Sequence, residues 1–119
     1  MTMHPYHKKL ARALDRMGGL YTVQDILTAI AENRMQSFIA NDSWVVTQIA
    51  VYPRAKVLEV LIALGDLKDS PSLHEQIFRC ARENNIGLVI TSGRRGWVKE
   101  LNREGWKVKA TSYLYQREL

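Results

Sequence analysis

Cysteine is almost missing from this chain: Cys80 is the single one among 119 residues. One thiol excludes a disulfide framework, and with no Cys/His cluster around it a structural zinc site is excluded as well. Proline occurs three times, too seldom for a proline-rich linker, and there is no repeat or low-complexity tract. No apolar run approaches the roughly 20 residues of a bilayer-spanning helix. Met1-Thr2-Met3-His4-Pro5 lacks the apolar core of a signal peptide, so a reducing compartment and no membrane are expected. No Ser/His/Asp set and no pair of carboxylates stands out, so the residues signal no hydrolytic chemistry.

What is present suits one globular domain over residues 1–119, with a helical part at 1–35 and a sheet core at 36–119. Hydrophobic residues make up 46% and charged residues 24%, enough for a core and too apolar for disorder. The net charge of +5 and pI of about 9.6 point to acidic partners: nucleic acid, an acidic protein face or a phosphorylated ligand. Charge that merely aids solubility is the competing reading.

The apolar periodicity predicts a first helix over residues 4–17, with Pro5 in its first turn, Leu10, Ala13, Leu14 and Met17 on one stripe, and Gly18-Gly19 as its stop. Thr22 with Asp25 predicts the N-terminus of a second helix reaching about residue 33. The period then changes. Residues 36–40, 44–52 and 57–64 read as three strands of an antiparallel meander. The third is apolar on both faces apart from Glu59 and so belongs in the middle of the sheet. Ser72 and Glu75 predict a capping box for a helix whose buried stripe is Leu73, Ile77, Cys80 and Ala81. Residues 88–91 read as a parallel strand, Trp97, Val98 and Leu101 as a helix of about three turns stopped by Gly105, and residues 106–116 as a last strand. The fold class is therefore α+β or α/β: one mixed sheet, a meander plus a strand–helix–strand crossover, with helices packed on it.

That order resembles the GNAT (N-acetyltransferase) superfamily. Several phrases are similar to small GNAT-like proteins of tailed bacteriophages: Tyr52-Pro53-Arg54, Val57-Leu58 leading to Gly65-Asp66-Leu67, Ala81-Arg82, and Gly93-Arg94-Arg95-Gly96-Trp97 with Leu101 and Gly105 after it. The likeness runs from Gly18 onward. It implies a binding site for acetyl-CoA where the third strand of the meander meets the next helix, in a loop with spaced glycines whose N–H groups approach the pyrophosphate. The matching stretch here, Gly65-Asp66-Leu67-Lys68-Asp69-Ser70-Pro71-Ser72, has one glycine, a proline and two aspartates. The tyrosine that such enzymes use as general acid has no counterpart between Gly96 and Arg103, where Trp97 stands instead. The expectation is a fold without the chemistry: a virion or morphogenesis protein, found in the virion or host cytoplasm, that needs no cofactor. It would contact phage structural proteins, its own copies or DNA. An acetyl-CoA-dependent N-acetyltransferase and a basic nucleic-acid or anti-defence module are the alternatives.

The candidate binding residues follow from charge and aromaticity. Arg94 and Arg95 sit in a strand-to-helix turn, and Arg95, Lys99 and Arg103 repeat at i, i+4 and i+8. This ridge suits phosphate or an acidic surface; a solvated face diluted by Glu100 and Glu104 competes with that reading. Asp66 is placed to accept a bond from Arg94 or Arg95. Trp97, Trp44 and Trp106 suit base stacking or an interface, against core packing. Tyr113, Tyr115 and Arg117 mark an exposed strand edge for a partner chain. His4 and His7 have a helical spacing but no third ligand, so a surface role is expected. Cys80 is expected to be inert packing.

Overall fold

The change of period at residue 36 is where the sheet begins in the computed structural model, which describes residues 7–92, 97–110 and 115–119. Strands β1 (Gln36–Ala40), β2 (Ser43–Val51) and β3 (Lys56–Leu64) form the expected antiparallel meander. Asn41, at φ 52°, turns the chain between the first two, a conformation that asparagine tolerates better than other side chains. Helix α3 (Ser70–Glu83) carries the chain to β4 (Val89–Thr91), which pairs parallel to β3. The described order is β1-β2-β3-β4, so β3 is flanked on both sides.

Two helices cover one face of the sheet. The stripes of α1 (His7–Arg16) and α2 (Val23–Ala31) place Leu10, Leu14, Ile26 and Ala29 against Trp44, Val46 and Ile62. The other face meets α3, whose Leu73, Ile77 and Ala81 pack on Ala40, Val45 and Leu58. Period-2 alternation in β2 feeds both layers at once. Thr22 caps α2 as expected: its hydroxyl accepts the Asp25 N–H at 3.1 Å and the Asp25 carboxylate accepts the Thr22 N–H at 2.8 Å.

Several local expectations are corrected. The N-cap of helix α3 is Asp69, not Ser72, so the helix starts at Ser70; no side-chain capping bond forms there, and Pro71 lies in its first turn. The stripe excludes Cys80, which is half-buried. Helix α4 (Val98–Arg103) has six residues and not three turns, and Gly105 ends it at φ 90°. The last strand is absent from its described parts, residues 106–110 and 115–116. The Trp106 N–H donates to Leu101 O at 3.0 Å and its indole turns to α3, so the chain leaves α4 toward that helix and not along a strand. Val108, 56% exposed, shows that the alternation there buries no face.

Candidate functional site

The site lies beside a mismatch between two strands. Val46 pairs with Ile62 and Thr47 with Val60, so Leu61 is an extra residue and makes a bulge in β3. Pairing between β3 and β4 covers Leu58–Val89, Glu59–Ile90 and Val60–Thr91 and ends at that bulge. Strand β4 itself ends there, at Thr91, while β3 runs on to Leu64. A cleft over the end of β3, between α3 and α4, holds about 630 Å³, its open mouth included. Its floor is Val60, Ala63 and Leu64, its end wall is Gly65, Asp66 and Ser70, and α3 and α4 close the sides with Leu73, Trp97 and Leu101. Val60 faces α3, so Glu59 lies on the opposite face, where with Ile90 and Ser92 it lines a smaller cleft of about 210 Å³.

The end wall is tied down by polar bonds. Ser43 Oγ donates to Asp69 Oδ2, and Asn41 Nδ2 donates to Asp69 Oδ1 at 2.7 Å. These bonds, Ser43 first, hold the Asp69 carboxyl below its ordinary pKa. Asp66 turns back on its own loop. Its N–H donates to Ser43 Oγ at 2.9 Å, its carboxylate accepts the Lys68 N–H at 3.1 Å, and its carbonyl accepts the Asp69 N–H at 3.0 Å.

One side wall carries a polar triad. His74 stacks on Phe78 at 5.2 Å between ring centroids, and its Nε2 accepts the Trp106 indole N–H at 3.2 Å. Nδ1 lies 2.5 Å from Glu104 Oε2, an oxygen closed off from solvent and without an aligned donor among the described residues. Burial pushes the His74 pKa down and Glu104 opposes it. The indole bond requires an unprotonated Nε2, so burial and Trp106 favour neutral imidazole while Glu104 favours the cation. In the unfolded chain His74 takes its proton near the ordinary value of 6.5, and in the fold only at lower pH. Stability should therefore fall as pH drops through about 6.5, because the unfolded state binds the proton first. Urea unfolding of the parent and His74→Gln at several pH values checks this. The variant should lose that part of the slope; a parent that gains stability through His74 as pH falls would show Glu104 to dominate.

The expected site residues separate. Asp66 and Trp97 both line the main cleft. Lys99 is exposed on α4, and Arg103, also exposed, pairs with Glu100 at 3.0 Å. Glu104 does not dilute the ridge, since it points at His74. Tyr115 is 87% exposed and Arg117 is exposed. Arg94, Arg95 and Tyr113, and with them the Asp66–arginine bond, lie outside the described residues. Trp44 is core, 1% exposed, and Trp106 joins the His74 cluster. His74 is half-buried, Cys80 has its pKa raised by burial, and no group of metal-binding side chains occurs among the described residues.

The architecture has clear counterparts. A point variant of TTHA1254 from Thermus thermophilus superimposes with a TM-score of 0.60 at 16% identity, over 100% of this chain and 98% of that one. An acetyltransferase from Trypanosoma brucei gives 0.59 at 12% identity, over 95% and 94% of the two chains. The ribosomal-protein-alanine N-acetyltransferase of Brucella melitensis biovar Abortus 2308 gives 0.59 at 12%, over 94% of each. The fold is GNAT-like. No protein-family model and no curated protein sequence matches the chain. The loop from β3 into α3, the stretch matched to the cofactor loop in the sequence resemblance, forms the end wall of the cleft. Glu59 and the His74–Glu104 pair were not among the residues expected to form a site. Glu59 had a signal, as the lone polar break in β3; His74 and Trp106 are 32 positions apart and gave none.

Proposed function

We propose that this chain uses its GNAT-like fold for contact and not for acyl transfer, as a virion or morphogenesis component in the phage setting that its phrases resemble. The observation behind this reading is the loop from β3 to α3. A diphosphate needs outward-pointing N–H groups there. Instead the N–H groups of Asp66, Lys68 and Asp69 are engaged within the fold, and Pro71 has none. The exposed Asp66 carboxylate adds a like charge. Calorimetry with acetyl-CoA tests the reading. The expected result is no saturable heat up to about 1 mM cofactor, equivalent to less than about 4 kcal/mol of binding free energy.

One observation favours acyl transfer. A cleft lies on each face of the sheet where the β3–β4 pairing ends, and Glu59 stands in the smaller one, where a carboxylate suits a base for an amine acceptor. Saturable binding at micromolar cofactor, with amine acetylation abolished by Glu59→Gln, would establish this reading over the first. Mass spectrometry of purified particles addresses the virion assignment directly.

A further inference from the structure

Helix α1 is the most sharply two-sided helix of the chain. Leu10 and Leu14 are 0% and 3% exposed in the core, while Lys8, Lys9, Arg12 and Arg16 all face solvent. Lys8, Arg12 and Arg16 repeat at i, i+4 and i+8, which sets them along one stripe about 12 Å long. Asp15 is the one acid of this helix. None of the four basic side chains forms a hydrogen bond or ion pair with another described residue. Arg34, Arg79 and Arg103 pair with Glu32, Glu75 and Glu100, while the other unpaired cations among the described residues, such as Arg54, Arg82 and Lys99, stand singly on their elements. Helix α1 thus packs four unpaired cations into ten residues, where like charges four residues apart repel one another and a polyanion would relieve them.

We infer that the outward face of α1 is a nucleic-acid contact surface that reads phosphates and not sequence. A bilayer is the weaker partner, because α1 spends its leucines on the core and, of its described apolar side chains, exposes only the small Ala11. A protein partner needs an apolar centre to its interface, and this stripe has none. The inference rests on α1 alone, so it holds whether or not the cleft takes a cofactor.

The test is fluorescence anisotropy with a fluorescein-labelled DNA duplex of about 20 bp and arbitrary sequence. If α1 neutralises three phosphates, affinity should fall about 40-fold between 50 and 200 mM salt. The triple variant Lys8→Gln, Arg12→Gln, Arg16→Gln should lose binding and salt slope while keeping the parent's circular dichroism spectrum. The double variant Arg12→Gln, Arg16→Gln, expected to lose about two-thirds of the slope, serves if the triple variant misfolds. Lys107→Gln with Lys109→Gln should bind as the parent does. The inference is overturned by absent or salt-insensitive binding, by a triple variant that binds fully, or by capture on phosphatidylserine vesicles without binding to the duplex.

Discussion

Gly65→Ala should lower the free energy of unfolding by about 3–5 kcal/mol, combining backbone strain with a steric clash. Gly65 has φ 118°, beyond the range in which an L side chain is at ease. A Cβ there would also lie 2.6 Å from Ser43 Cα, which is backbone and has no rotamer to retreat into. Ser43 is 1% exposed, and its hydroxyl both donates to Asp69 and accepts the Asp66 N–H. Moving it would loosen the β1–β2 turn, the start of α3 and the end wall of the cleft together. Gly19 provides the comparison: it also has positive φ, 67°, but nothing lies within 4 Å of its added Cβ. Gly19→Ala should therefore cost only the strain, about 1 kcal/mol. Urea midpoints of the two variants, at unchanged slope, measure the difference. Equal losses would mean that Ser43 yields freely.

The contrast between Ser43 and its neighbours also explains which features were legible in the sequence. Strand β1 ends where residues 36–40 predicted, because alternation and the Asn41-Asp42 turn are local signals. The cap on α2 was equally local, Thr22 and Asp25 being three positions apart. Ser72 and Glu75 matched the same template, yet α3 begins three residues earlier than that box would set it. What fixes that end is Asp69 bonded to Ser43, 26 positions away, and no local pattern encodes such a bond. The cleft was hidden for the same reason. It lies where the β3–β4 pairing ends, beside one unpaired residue, Leu61, whose apolar neighbours give no hint of a register shift. Residues 106–110 erred the other way: their alternation was real, but a strand also needs a neighbour, none pairs with them among the described residues, and the indole of Trp106 takes the chain to His74. Composition and period reach the layers; the site arises from long-range pairing.

The second large effect concerns the layer that presents α1. Trp44→Ala should cost about 3–5 kcal/mol, the range for emptying a large aromatic site in a core, out of a total that rarely exceeds about 15 kcal/mol. Trp44 is the largest fully buried side chain, packed with Leu10, Leu14, Ile26 and Ile62 between the two helices and the sheet. Its indole N–H donates to Ser37 Oγ at 2.6 Å, so the variant also loses that bond, leaving the hydroxyl of the exposed Ser37 to water. Trp44→Phe separates the two contributions, keeping most of the volume while losing the bond, worth about 1 kcal/mol. Its partner in register on β1, Ile39, is 53% exposed, and Ile39→Ala should stay within about 1 kcal/mol of the parent. Denaturant unfolding ranks all three. If Trp44→Ala cost less than Ile39→Ala, the helices could not be packed on that face as described, and the stripe of Lys8, Arg12 and Arg16 would lose the rigid base that holds its charges together.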